Sequence, residues 1–567
     1  MNGEKLNVKS AEKNRSSPQR RLGGGGCSPP SLGGAGGGSD PQFTALAMPP
    51  RIHHNVPMLL IFPPIAKPCE PPAGIAQLAA ALHSHAIPCR VLDANLEGLL
   101  WLLEQPCNAD DTWSRRAIKG RSRHLAALRD SALYCSPDRY SRAVRDLNRL
   151  LAVSGRAGGA IVGLADYQHH HLSPLRSADL LFAAGHSEQN PFHPWFSKGF
   201  EGWLDGIATI GFSLNYLSQA LCAFAMIGHV RKRYPGVRIV LGGGLTTSWL
   251  RQPGWKNPFG GLVDNLIGGP GEIPLLQLLG SDTALEQHIR PDYTDLPMYD
   301  YLAPGFILPF STAGGCYWNR CSFCPERAEG NRYTPLPVAE ALAGLHALIA
   351  QTKPVLLHLL DNAISPAFLL ALAVDPPGVP WYGFARFGPE LADPDFCRAL
   401  KRSGCVMLKL GLESGDQGVL DRLNKGIDIG QAARVLANLR AAGIGVYLYL
   451  LFGTPAETET EARRTLEFVV RHRDAINFMN LALFNMPICG NEAAEYGIEP
   501  FYEGDLSLYT AFRHPKGWDR KQVRGFLDKE FKRDPSVAAI LRNDPPLFTS
   551  NHAAFFASAP RNLEHLN

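Results

Sequence analysis

Gly314-Gly315-Cys316-Tyr317-Trp318-Asn319-Arg320-Cys321-Ser322-Phe323-Cys324-Pro325-Glu326 is the stretch on which the reading of this chain turns. Its three cysteines have the spacing C-x4-C-x2-C. The apolar run Phe306-Ile307-Leu308-Pro309-Phe310 comes before them, and an amphipathic stretch begins at about Pro337. The pattern predicts strand, cysteine loop, helix. It places the thiols past the C-terminal end of a strand, where α/β folds present their chemistry. Three clustered thiols in a cysteine-poor region are metal ligands more often than packing residues. No fourth ligand lies nearby, so a site built on these three keeps one metal position open for a substrate or cofactor.

Outward from the loop, strands are predicted at 306–311, 355–360, 381–386, 406–412, 445–451 and 477–484. Helices are predicted at about 337–352, 366–374, 393–403, 430–441 and 458–473. Six successive βα units predict a partial barrel, two units short of the closed eight-fold form. Towards the N-terminus, strands are predicted at 56–62, 89–93, 159–164, 208–213, 238–241 and 262–267, alternating with helical stretches, which predicts a doubly wound parallel sheet. The fold class is therefore α/β. A Rossmann-like unit spans 48–284, a connector 285–305, the partial barrel 306–499 and a helical C-terminal cap 500–567. Residues 1–47, rich in Gly, Ser and Pro, cannot bury enough apolar surface to offset chain entropy and are expected to be a disordered tail, with Met48 opening the structured sequence.

The 567 residues carry 45% apolar side chains, enough for several cores. With 56 basic against 52 acidic residues, the net charge of +4 does not point to nucleic acid or a membrane surface as partner. No apolar run reaches the roughly 18 residues of a membrane span. The twelve cysteines show no disulfide framework, and together with a metal-type cluster they suggest a reducing cytoplasm.

The cysteine loop, the six βα units and the residues at their strand ends resemble radical S-adenosylmethionine (SAM) enzymes. The unit before them resembles the cobalamin-binding domain of one large branch of that superfamily. The resemblance covers roughly 56–490. It implies that Cys316, Cys321 and Cys324 hold three irons of a 4Fe-4S cluster, with SAM chelated to the fourth. It also implies that reduction of the cluster splits SAM into methionine and a 5′-deoxyadenosyl radical. By the same resemblance Phe323 lies near the adenine. Asp361, Asn362, Arg386, Glu413, Ser414 and the Gly453 turn, each at the end of a successive strand, contact SAM. Ser213, Gly242, Gly243, Gly244, Gly269, Gly271 and Glu272 resemble the cradle for the cobalamin tail. The implied partners are a small-molecule or peptide substrate and an electron donor such as a flavodoxin or ferredoxin. The implied reaction is methyl transfer to an unactivated carbon, with no acid or base named.

Two departures from the family pattern stand out. The common spacing is C-x3-C-x2-C, and here the first gap is one residue longer. The Asp-x-His-x-x-Gly motif, whose histidine ligates cobalt in many cobalamin domains, does not occur. Plainer readings stand beside the functional ones: a zinc or iron-sulfur protein without catalysis, a radical cyclase, rearrangement or oxidation enzyme without methyl transfer, and a Rossmann-like domain that has lost the corrin. Arg386 serves equally as a buried ion-pair partner of Glu413, and Glu457-Thr458 as a helix N-cap. His169-His170-His171 reads as an exposed loop, since adjacent strand residues point to opposite faces. Phe192, Trp195, Phe196, Phe200 and Trp203 line a substrate pocket or form a local core.

Overall fold

The computed structural model of the chain describes residues 58–107, 110–281, 289–490, 492–499, 504–545 and 552–557. The expected tail, 1–47, lies outside them. Five parallel strands form the first sheet: β1 (Met58–Ile61), β2 (Cys89–Leu92), β3 (Thr209–Ser213), β4 (Arg238–Gly242) and β5 (Asn265–Leu266). Their order is β2-β1-β3-β4-β5. β1 and β3 are buried along their whole length because helices cover both faces, hence their unbroken apolar or small-residue runs. The strand order reverses between β1 and β3, and in such sheets ligands bind at the crevice outside the strand C-termini there.

The expected strand over 159–164 does not join this sheet. Ala160–Val162 pairs antiparallel with Tyr167–His169 in a separate hairpin. Ile161 between its two buried neighbours is exposed, so the segment has one wet face and belongs at a surface. His169 ends the second strand of the hairpin, and His170 and His171 lie in the bend after it. His169 Nδ1 accepts the backbone N–H groups of His171 and Leu172 at 3.1 and 3.0 Å.

The second sheet holds β6 (Ile307–Phe310), β7 (Leu356–Leu359), β8 (Trp381–Ala385), β9 (Cys405–Glu413), β10 (Gly445–Phe452) and β11 (Phe478–Leu483). All neighbours are parallel and follow chain order, the six-unit partial barrel that the periodicity predicts. Alternation along each strand divides the core. Leu408, Leu410, Val446 and Leu448 pack with the helix residues Leu345, Leu369, Leu400 and Leu436. Tyr382, Met407, Tyr447 and Phe478 belong instead to a cluster continuous with Leu92, Ala94, Leu302 and Ala303 of the preceding segments. The N-terminal unit thus packs into the inner face of the barrel sheet.

One polar group sits on that inner face. His358 Nδ1 lies 2.9 Å from Glu70, which arrives from the loop after β1. His358 stacks on Tyr382 with ring centroids 4.3 Å apart, and Lys409 Nζ lies 3.3 Å from its Nε2. Phe192, Phe196 and Phe200 are fully buried, which resolves that aromatic group as core.

The C-terminal segment is only partly helical. Tyr509–Phe512 pairs with Met486–Pro487 and Ile498–Glu499 before helices Arg520–Lys529 and Pro535–Asn543. Phe555 then meets Tyr134 and Tyr140 of the first unit, while Phe556 packs on Gly445 at the start of β10.

Candidate metal and cofactor site

The cysteine loop leaves β6 and is fastened before its first thiol. Ala313–Gly314 pairs with Thr334–Pro335. Gly315 has φ +71°, and a Cβ there would approach the Arg332 carbonyl oxygen to 2.3 Å, so the position requires glycine. The longer first gap is absorbed by a turn at Asn319, whose φ of +41° suits asparagine better than most residues. The turn seats Trp318 against the loop after β9, where its Nε1 donates to the Asn424 carbonyl at 2.9 Å.

Cys324 opens the short helix Pro325–Ala328. Burial pushes its thiol up to about 11; the backbone N–H groups of Arg327 and Glu326 pull it down, and neighbouring Cys321 and Glu326 push it up. Cys321 is buried, and Arg386 Nη1 lies 4.0 Å from its sulfur. Among the described residues, no group of three His, Cys, Asp or Glu is placed to hold one metal ion. A mononuclear zinc site is therefore not preformed by these thiols. A four-iron cluster makes a different demand, because each thiolate binds its own iron. The donor chemistry fits such a cluster: three thiols, a guanidinium beside one, and backbone N–H groups directed at another.

The strand ends sort the other expected residues into two sets. Arg386, Glu413 and Phe323 gather around the loop. Glu413 has φ +70°, strained for a non-glycine residue, where the β9–β10 register shifts between Gly411 and Glu413. Its Oε1 accepts from Lys425 Nζ at 2.8 Å, and Lys425 lies over the Phe323 ring at 5.4 Å. The Arg386–Glu413 ion pair does not form. Lys425 takes that carboxylate, and Arg386 Nη2 donates to the Lys425 carbonyl instead.

Asp361 and Ser414 are occupied by the fold. Asp361 accepts the Thr312 hydroxyl at 2.5 Å and its backbone N–H at 3.2 Å, joining the ends of β6 and β7. Burial raises its carboxyl to about 6 against those hydrogen bonds. Ser414 is fully buried and its hydroxyl meets Thr465 and the Asp416 N–H. Asn362, next to Asp361, is half-buried. Gly453, φ +77°, donates its N–H to Glu457 Oε2 at 2.6 Å. Thr458 forms a capping box with Glu461 at the start of helix Glu459–Arg471, the capping reading of that pair.

In the first sheet, Asn215 ties the loops after β3 and β4 together. It donates to Ser213 Oγ at 3.1 Å and accepts from the Gly244 N–H at 2.9 Å. Gly243 has φ +97°, and a Cβ would come within 2.5 Å of the Leu214 carbonyl oxygen. Gly242 is less crowded, with its nearest neighbour at 3.5 Å, and a Cβ on Gly269 would meet nothing within 4 Å. Gly271 precedes helix Glu272–Leu278, and Glu272 is half-buried. Helix Gly244–Leu250 continues to the cysteine loop, where Ser248 donates to Glu329 Oε1 at 2.7 Å. A cleft lined by Ser248, Gln252, Pro325, Glu329 and Cys489 marks that junction.

Thr312, Trp318 and Lys425 also belong to the site, although no motif marks them in the sequence. Trp318 lies inside the lengthened gap and Lys425 in the Lys-Gly pair after β9, so position was the available signal.

Residues 310–469 match the radical SAM superfamily. An uncharacterized methyltransferase of Pyrococcus horikoshii is 27% identical over 191 residues, 31% of this chain and 40% of that protein. The bacteriochlorophyllide d C-12(1)-methyltransferase of Chlorobaculum tepidum is 25% identical over 175 residues, 30% of this chain and 38% of its own. The matches thus span about 40% of the length of these curated relatives. A structure of the radical SAM methyltransferase TsrM from Kitasatospora setae, with cobalamin and a 4Fe-4S cluster bound, superposes with TM-score 0.47 at 16% identity, covering 78% of this chain and 75% of that one.

Proposed function

We infer that this chain, with a radical SAM domain at its centre, is an enzyme that cleaves SAM reductively and transfers a methyl group to an unactivated carbon. The observation that carries the reading is that Cys321 lies beside Arg386 and Phe323 beneath the Glu413–Lys425 pair, within the stretch matching the superfamily. When bound, a 4Fe-4S cluster supplies the single electron that splits SAM, and cobalamin supplies a carrier for the methyl group.

Cys316, Cys321 and Cys324 would hold the cluster. Phe323 offers an apolar ring for the adenine, and Asn362 and Glu413 offer polar groups for the ribose and methionine parts. Lys425 keeps Glu413 oriented and part-neutralised. Asp361 positions the cysteine loop through Thr312 rather than binding SAM. For cobalamin, the cradle is Ser213 with Gly242, Gly243, Gly244, Gly269, Gly271 and Glu272. Its support is the strand order of the first sheet and the open space at Gly269, which leaves room for a bulky tail. The described cysteines form no disulfide, in keeping with a reducing, cytoplasmic setting and a flavodoxin- or ferredoxin-type electron donor. No described helix is long and apolar enough to cross a membrane.

The test is anaerobic reconstitution with iron and sulfide, followed by a dithionite-driven SAM cleavage assay. Wild type should release 5′-deoxyadenosine, and the Cys316→Ala/Cys321→Ala/Cys324→Ala variant should lose both the brown colour and the cleavage. A fully loaded wild type that leaves SAM intact refutes the reading. Methyl transfer further requires S-adenosylhomocysteine beside 5′-deoxyadenosine in turnover with substrate, and deoxyadenosine alone would reassign the reaction to another radical class.

A further inference from the structure

Arg386 is nearly buried, at 9% exposure, yet among the described residues no carboxylate lies within ion-pair distance of its guanidinium. Glu390 senses its charge from farther away. A buried cation without a counter-ion is costly, and proteins retain one where an anion is to be bound. Its close contacts among the described residues fix its position, and none is with a carboxylate. Nη2 donates to the Lys425 carbonyl, the face lies 4.5 Å from the centroid of the Trp318 ring, and Nη1 points at the Cys321 sulfur.

Trp318 is itself held. Its Nε1 is hydrogen-bonded to Asn424, and its ring lies on Gly426, where a Cβ would come within 2.0 Å of it. Trp318 belongs to the gap that is one residue longer than the common spacing. The longer gap therefore has a structural use: it seats an indole that stacks on Arg386 and holds it against the second thiol.

Resting on the radical SAM reading, we propose that Arg386, clamped by Trp318, is the resident counter-charge of the iron-sulfur cluster at Cys321 and sets its reduction potential. Reduction adds one negative charge to the cluster. A fixed cation 4.0 Å from one ligand sulfur in a low-dielectric site stabilises the reduced state more than the oxidised one. The electron comes from the external donor, and no bond to Arg386 forms or breaks. Arg386 is a positioning and tuning residue, and Trp318 supports it.

The test uses the full chain, reconstituted anaerobically as wild type, Arg386→Gln, Arg386→Lys and Trp318→Phe. Iron and sulfide are counted, and the reduced-cluster electron paramagnetic resonance signal is followed in a potentiometric titration. Arg386→Gln should load the same iron but reduce less readily by about tenfold, a midpoint lower by about 59 mV for a one-electron couple. Arg386→Lys should recover most of that shift, and Trp318→Phe should fall between. An unchanged midpoint in loaded Arg386→Gln overturns the proposal, as does an Arg386→Lys shift as large as that of Arg386→Gln. If Arg386→Gln fails to load while Arg386→Lys loads, the counter-charge role stands. If neither loads, Arg386 is a structural residue and the proposal falls. Failure of wild type to take up iron and sulfide would instead refute the underlying radical SAM reading.

Discussion

Glu457→Gln should make the protein more stable at alkaline pH and nearly unchanged at pH 5. Glu457 is fully buried behind the Gly453 turn. Its Oε2 accepts the Gly453 N–H and the Trp518 indole N–H, while Oε1 has no partner. Burial raises the carboxyl from the ordinary 4.5 to about 8, against those two hydrogen bonds. Between these values the folded chain keeps a proton that the unfolded chain has lost. Stability is therefore fully present below about pH 4.5 and is lost as pH rises through about 8. At about 1.36 kcal/mol per pH unit the loss is capped at roughly 5 kcal/mol. Glutamine keeps an acceptor for Gly453 and cannot ionise. Urea unfolding followed by tryptophan fluorescence, for wild type and variant at pH 5 to 9, isolates the group, because Asp361 titrates alike in both. The gap in favour of the variant should widen by about 2 kcal/mol or more between pH 5.5 and 8.5. Parallel curves would show that Glu457 is not held neutral behind the Gly453 turn.

Thr312→Val removes the hydroxyl that Asp361 accepts. It should cost about 1–3 kcal/mol above pH 6, where Asp361 is ionised, and less below pH 4, checked by the same unfolding series. Glu70→Gln removes the carboxylate 2.9 Å from His358 Nδ1 on the barrel's inner face. It should cost roughly 3–5 kcal/mol, read as a lower urea midpoint; an unchanged midpoint would mean that the group is neutral without Glu70.

The parallel sheets were legible because their cause is local. A strand covered on both faces reads as an unbroken apolar run, and β7, β9, β10 and β11 fall within about two residues of their predicted bounds. The Ala160–Val162 segment has the same composition and was misplaced, since apolar content does not say which partner a strand finds. The cysteine spacing marked the site, but the partners of its charges were not legible. Arg386, Glu413 and Lys425 offer two pairings in sequence, and only the turn that brings Lys425 back beneath β9 selects Glu413–Lys425.

By itself the sequence determined the two α/β units, the loop that carries the thiols and the order of polar residues along the strand ends, because helical and strand periodicity and turn chemistry act over a few residues. The tertiary structure decided which of those residues are free to meet a ligand. Asp361 and Ser414 are consumed within the fold, while Arg386 is left buried, clamped by Trp318 and facing Cys321. A side chain's partners are set by what the rest of the chain brings within a few ångströms of it, and burial then makes an unmatched charge too costly to keep without an anion to meet.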